Sequence, residues 1–312
     1  MSDALQDDLL STVLSAYQLQ AGIYDNPTFC GHWQHNTTGF RRAAFHLIGS
    51  GACWLHTHES AEPMQMHAGD LVVLPHDAWH MLTADPVLEG EAPRRIFDGD
   101  GPFTTMVCGY FDFRAGGRNP VLAALPQVIV VDREAGGSAM QGLSQLLLSE
   151  AACAEVGTRT VLDKLADTLF VMTVRYFVNQ SSDLRGVLAG LADARLRKAL
   201  AVMHREPGKA WTLDILAREA GMSRSAFAQH FAERVGAPPI DYLTRWRMTQ
   251  AELMLRDPTV SVAQVAEQMG YETEAAFRKA FEALVAERIQ PALLGRGTGG
   301  AELGRTLATI AG

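Results

Sequence analysis

Cysteine is scarce in this sequence: four residues in 312, Cys30, Cys53, Cys108 and Cys153, with no C-x-x-C pair among them. That excludes a disulfide framework and leaves free thiols, metal ligands or redox sensors. Positive charge is also in deficit, with 27 Lys and Arg against 35 Asp and Glu, so charge alone does not point to nucleic acid. Long apolar runs are missing. The most apolar helical stretch, 161–178, is interrupted by Asp163, Lys164, Asp167 and Arg175, which a bilayer would reject. The opening MSDALQDDLL carries Asp3, Asp7 and Asp8 and no basic segment, which argues against an export signal and makes the cytoplasm the expected location.

What is present is unevenly distributed. With 47% hydrophobic and 20% charged residues the composition is that of a globular protein, and 312 residues suffice for two cores. Residues 191–290 hold 14 basic against 13 acidic side chains, a balance of +1, whereas residues 1–190 hold 11 against 21, or −10. Histidine is more lopsided still. Eight of ten (His32, His35, His46, His56, His58, His67, His76 and His80) fall within 49 residues, a clustering that calls for a cause.

From about residue 20 to 115 short apolar runs alternate with Gly, Pro, Asn and Asp. The runs 40–48, 52–56, 70–74 and 104–113 are of strand length, the pattern of a β-barrel or sandwich. The segment 85–102 has no periodicity and is expected to be a long loop. After Gly116-Gly117 the period changes: 140–154 and 159–179 carry apolar residues at helical intervals, including Leu162, Leu165, Leu169, Met172 and Tyr176. That stripe packs either on the chain's own barrel or on a partner chain.

The last third repeats itself. Ala217, Gly221, Phe227 and Phe231 recur as Ala266, Gly270, Phe277 and Phe281, each set reading as a helix, a tight turn at Gly and a second helix with two buried Phe one turn apart. Between them Pro239 opens a long connecting helix. Two helix-turn-helix units joined this way can address successive major-groove segments. The segments LAREAGMSRSAFAQHFAERVGAPPIDYLTRWRM and VAEQMGYETEAAFRKAF resemble the AraC/XylS family of transcription regulators. The resemblance implies base-facing positions at Arg224, Ser225, Ala228 and Gln229 in the first unit and Glu274, Ala275, Arg278 and Lys279 in the second, with Arg245 and Arg247 as phosphate contacts. The first unit keeps the family's closing Gly236 and Pro239; the second reads VAERIQPALL, without the Gly and with Pro291 two residues late.

In the first third, Gly69, an interval of five residues, Pro75, and His80 five positions beyond the Pro resemble the second motif of the cupin barrel, with Asp77 where cupins usually have Gly. His56-Thr-His58, Glu62 and Gly69 also satisfy the first motif's spacing. Gly69 would then serve both motifs and leave no room for the strands between them, so the alignment runs through Phe45-His46-Leu47-Ile48-Gly49 instead, with His56 and His58 in a solvent-exposed hairpin. The resemblance then implies metal ligands at His46, His76 and His80, with Cys30 as a fourth, a donor set suited to zinc. His32, His35, His56, His58 and His67 are read as loop or hydrogen-bonded residues, Asp70 and Asp77 as turn and cap residues, and Cys53 and Cys153 as packing. Barrel and carboxyl-terminal repeat together look like the cupin-sensor branch of the AraC family, which includes reactive-chlorine-responsive activators. That likeness marks Cys30 and Cys108 for redox sensing.

The expectation is an α+β two-domain chain: an N-terminal cupin-like β-barrel sensor over 1–118, a helical linker and dimerisation region over 119–190, a C-terminal all-α double helix-turn-helix over 191–294 and a Gly-rich tail over 295–312. Three functions stay open: a regulator, expected to be an activator, sensing oxidant or metal; the same regulator binding a small organic effector in a metal-free barrel; and a cupin enzyme fused to a DNA-binding domain. The last is weakest, because the Glu of a catalytic cupin set does not fall where the fold uses it. The expected partners are double-stranded DNA, RNA polymerase and a second copy of the chain, and no membrane.

Overall fold

The computed structural model describes residues 8–88, 90, 94–95, 103–113 and 119–293. Most of the expected 85–102 loop, the Gly116-Gly117 junction and the 295–312 tail lie outside them. The chain forms two bodies: residues 19–112 with 125–181, and residues 8–18 with 113–124 and 182 onward.

The first body carries two facing sheets. The opening helix α1 (Leu9–Ala16) belongs to the other body; the strands then run β1 (Leu19–Asp25), β2 (Thr28–Cys30), β3 (Trp33–His35), β4 (Ala43–Ser50), β5 (Ala52–Thr57), β6 (Ser60–His67), β7 (Leu71–Leu74), β8 (His80–Thr83), β9 (Arg94–Arg95), β10 (Phe103–Phe113) and β11 (Ile129–Val131). One sheet has the order β1-β10-β4-β7-β11, with β2 also on β10; the other has the order β6-β5-β8-β3-β9. Between them lie Phe29, Trp33, Ile48, Leu55, Met66, Val72, Leu74, Leu82, Met106 and Cys108.

Strand β4 is buried along most of its length, which is why FHLIG shows no hydrophobic alternation. Ala44 and Ile48, two residues either side of His46, join the inter-sheet core, so His46 shares their face. Phe45 lies on the opposite face against Phe111, which in turn meets Phe170 of a covering helix. Gly109, paired with Phe45 in the ladder, has no room for a Cβ, which would strike the Phe45 ring. The alternation of β10 therefore puts Cys108 inward, opposite His46.

After the short helix α2 (Pro120–Ala124) of the other body, α3 (Gly137–Ala151) and α4 (Thr158–Gln180) complete the barrel body. Ala166, Leu169, Phe170 and Val174 of α4 are buried, and the Asp167 carboxylate accepts a hydrogen bond from the backbone N–H of Ala21 on the sheet-edge strand β1, 2.8 Å away. The apolar stripe of 159–179 thus packs at least in part on its own body.

The second body is helical: α5 (Gly186–Ala192), α6 (Leu196–Arg205), α7 (Leu213–Glu219), α8 (Arg224–Val235), α9 (Pro239–Met254), α10 (Val262–Gln268) and α11 (Glu274–Leu293). The repeat is structural. Helix α7 ends with Gly221 at φ +63° and a bond from Met222 N–H to Ala217 C=O; α10 ends with Gly270 at φ +77° and the same bond from Tyr271 to Ala266. Both are left-handed glycine caps, a conformation in which a side chain is strained. Ser223 then caps α8 through Ala226 N–H and Thr273 caps α11 through Ala276 N–H. Phe227 and Phe231 of one unit and Phe277 and Phe281 of the other are buried. Gly236 closes α8 at φ +80°, whereas α11, lacking that Gly, continues to Leu293. Helix α1 joins this body: Tyr17 Oη lies 3.3 Å from Thr249 Oγ1, and Arg256 donates to Gln18 Oε1 at 2.6 Å.

Candidate functional site

The barrel interior gathers a thiol and three imidazoles. Cys108 Sγ lies 3.1 Å from His46 Nδ1 and 3.8 Å from His35 Nε2, and these three buried groups are placed to hold a metal ion. For bond lengths of ~2.05 Å to nitrogen and ~2.3 Å to sulfur, tetrahedral ligation separates N and S donors by about 3.6 Å. The two observed distances bracket that value, so the donor set fits. His46 and Cys108 come from one sheet and His35 from the other, so a shared ion would also tie the sheets together.

His80 stands behind His46. Its Nδ1 lies 2.9 Å from the carbonyl of Ala78, which only accepts, so Nδ1 carries the proton and Nε2 is an acceptor. His46 Nε2, at 3.1 Å from His80 Nε2, is then the donor, and Thr37 Oγ1 touches both at 3.2 and 3.0 Å. With Nε2–H committed, His46 turns an unprotonated Nδ1 toward the Cys108 sulfur. Both imidazoles are neutral, because burial, and for His46 also the rings of His80 and His35, hold them below the usual histidine range. Tyr24, which is 45% exposed, brings its hydroxyl to Thr37 and Cys108 at the edge of the group; partial desolvation first, then the neighbouring thiol, push its ionisation upward.

Of the four ligands expected from the sequence, His46 and His80 meet. His76 Nε2 instead lies 2.9 Å from the Leu125 carbonyl, and Cys30, buried opposite Phe103 in the β2–β10 ladder, is not one of the three donors. The donor atoms that lie together with His46 are those of His35 and Cys108. Of the five histidines expected in loops or in hydrogen bonds, four are at least partly exposed: His32 pairs with Asp85 at 2.7 Å, His56 meets Thr83 at 3.0 Å, His58 stacks on Trp79 and His67 is exposed. His35 goes inside because all three residues of β3 are buried. Asp70 and Asp77 act in turns: Asp70 accepts from His67 and Arg133 N–H, and Asp77, at φ +54°, accepts from Gly39 and Arg41 N–H. Cys53 is a core thiol, pushed up to about 12 by burial and then by Asp70, while Cys153 is exposed rather than packed.

In the helical body α8 and α11 present equivalent faces, with Ser225, Gln229, Ala275 and Lys279 exposed and Ala228 and Arg278 half-buried. Two arginines of these helices are paired within the protein, Arg224 3.4 Å from Asp214 and Arg278 donating to Glu274 one turn back, and the Gln229 amide donates to Glu233. Arg245 is exposed; Arg247 is half-buried and donates to the carbonyls of Pro207 and Lys209.

A cupin family model matches residues 8–179 and a helix-turn-helix domain model matches residues 216–290. An uncharacterized HTH-type transcriptional regulator of Haemophilus influenzae is 29% identical over 287 residues, covering 88% of this chain and 94% of that protein. The RCS-specific HTH-type transcriptional activator RclR of Escherichia coli is 28% identical over 279 residues, covering 88% and 93%. Among solved structures, fatty-acid-bound ToxT of Vibrio cholerae is 11% identical and matches 85% of this chain and 91% of its own with a TM-score of 0.34.

Proposed function

The chain belongs to the AraC family of transcription regulators with an amino-terminal cupin domain, and from that premise we propose that it is a one-component, non-enzymatic activator whose barrel senses oxidants at Cys108. The observation that carries the reading is the Cys108 sulfur facing the unprotonated Nδ1 of His46, with His35 Nε2 beside it. The Cys108 S–H donates to that Nδ1, which orients the sulfur while the ring stays neutral. The sulfur then attacks the oxidant: RSH + HOCl gives RSOH + H⁺ + Cl⁻, the sulfur losing two electrons to the chlorine. The similarity to RclR, an RCS-specific activator, supports this choice of oxidant.

His35, His46 and Cys108 are the residues that would hold a metal, zinc in the first instance, with His80 orienting His46 from behind. Zinc there would keep Cys108 as a thiolate. The partners proposed are operator DNA, RNA polymerase and a second copy of the chain. Leu169 is buried within its own body, so pairing of copies through α4 would use its exposed face near Val161.

The test is operator binding by the full-length protein under reductant, hypochlorous acid and chelator. The wild type should respond to oxidant and Cys108→Ser should not. A normal response from Cys108→Ser overturns the reading and leaves an organic effector as the alternative.

A further inference from the structure

We propose that the loop 206–211, clamped by Arg247 against the turn of the second helix-turn-helix, is the joint that sets the distance between the two DNA-reading helices. Each helix-turn-helix packs on its own part of α9: Tyr242, Leu243 and Trp246 are buried toward its start, while Met248, Ala251 and Leu255 form one core with Val265, Ala266, Met269, Phe277 and Phe281 of the second unit. A single shared helix followed by a turn leaves the second unit attached along one line. A direct contact from the first unit removes that freedom.

That contact exists in backbone. Gly208, in the loop leading into the first unit, abuts the turn of the second: a Cβ on Gly208 would overlap the Gln268 carbonyl oxygen, and a Cβ on Gly270 would overlap the Gly208 carbonyl oxygen. Gly270 is therefore needed twice, once for its φ of +77° and once for the approach of another chain segment. The loop is held in shape from both sides. Trp211 Nε1 donates to Glu206 C=O at 2.8 Å, and Trp211 N–H donates to Lys209 C=O at 2.7 Å. From α9, Arg247 Nε donates to Pro207 C=O at 2.6 Å and its Nη2 to Lys209 C=O at 2.8 Å, straddling Gly208. The same guanidinium lies 6.0 Å over the ring of Tyr271, the residue after Gly270. Arg247 thus touches both partners of the joint, and two of its five donors are committed to protein carbonyls. Its partly buried position is that of a positioning residue rather than a phosphate contact.

Two recognition helices read one face of a duplex only when their separation matches the helical repeat of ~10–10.5 base pairs. The inference rests on DNA reading by both units and is independent of the barrel's chemistry. It is tested by selecting sites from a randomised duplex library with full-length wild type, Arg247→Met, Arg247→Lys and Gly208→Ala, and reading the distribution of distances between the two selected base blocks. Wild type should give two blocks at one spacing. Arg247→Met and Gly208→Ala should keep both blocks but spread their spacing over several base pairs, with about 10- to 100-fold weaker binding to the wild-type site. Arg247→Lys, which reaches one carbonyl, should fall between. An unchanged single spacing in Arg247→Met overturns the proposal, as does a loss equal on all spacings and on random DNA, which marks a phosphate contact. If Arg247→Met does not fold, the spacing read from Arg247→Lys and Gly208→Ala decides. A wild type that selects no sequence refutes DNA reading itself; a wild type that selects two blocks at unfixed spacing refutes the joint alone.

Discussion

Cys108 and His46 face each other across β10 and β4 in direct register, with Sγ 3.1 Å from Nδ1. Register rather than loop geometry makes this pair. A slip of one residue in either strand would turn one of the two side chains to the opposite face, where Phe45 and Phe111 pack.

The first prediction follows from the donor set. Zinc analysis of purified full-length protein should find about one ion per chain in the wild type and little in His35→Ala or Cys108→Ser, because losing one of three donors opens the site. Cys30→Ser and His76→Ala should retain it. His76→Ala should instead cost roughly 0.5–1.5 kcal/mol of stability, the value of an ordinary hydrogen bond, since its ring meets the Leu125 carbonyl. Loss of metal in His76→Ala with retention in His35→Ala would reverse the ligand assignment.

Much of this architecture was legible in the sequence and some was not, for physical reasons. The double helix-turn-helix reads directly because Gly221 and Gly270 answer to one local requirement, a left-handed cap, and the buried Phe pairs recur at helical spacing. The hairpin holding His56 and His58 and the strands β4, β5, β7 and β10 are likewise local. Which histidines converge is not local. His35 sits on a three-residue strand buried at every position, so it has no alternation to betray which way it points. Cys108 lies 62 residues from His46, and the family likeness marked it for redox sensing without placing it at the imidazoles. Arg247 reads as one more cation on a DNA-facing helix; its two carbonyl acceptors come from a loop 38 and 40 residues away.

The second prediction concerns base reading. Arg278 is held by Glu274 one turn earlier, with Nη2 2.6 Å from the carboxylate. If Arg278 reads a guanine edge, Arg278→Ala should weaken operator binding by about 1–3 kcal/mol and relax specificity at one position, leaving binding to random DNA nearly unchanged. Titration of operator and random duplexes at fixed salt distinguishes this from a phosphate contact, which would lower both equally.

Leu169 carries the third. It is fully buried on α4 beside Ala166 and Phe170, so Leu169→Ala should destabilise the protein by about 2–5 kcal/mol in urea denaturation, with no change of oligomeric state while folded. Val161, 41% exposed on the same helix, should tolerate Val161→Glu with little loss of stability. Sedimentation of Val161→Glu then reads whether α4 pairs two chains: a dimer that persists unchanged removes this face from the interface.

The last prediction is a pH dependence in the helical body. His204 is stacked on Trp246 with ring centroids 4.1 Å apart, its Nε2 is 2.8 Å from Tyr242 Oη, and its Nδ1 has no hydrogen-bond partner among the described residues. Burial lowers its pKa to about 3, because a proton on Nδ1 would place a charge and an unsatisfied donor where water does not reach. In the unfolded chain the same ring titrates near 6.5. The unfolded state therefore binds the proton first as pH falls, and stability is lost between about pH 6.5 and 3, at up to roughly 1.4 kcal/mol per pH unit, while above pH 7 this group contributes no slope. His204→Gln, neutral throughout, should be less stable than wild type at pH 7.5, since it gives up the ring stacking, yet should lose stability less steeply on acidification. The measurement is the urea midpoint of both proteins between pH 7.5 and 4.5. Parallel curves would show that His204 is already charged in the folded protein or stays uncharged in the unfolded one, and either result refutes the burial argument.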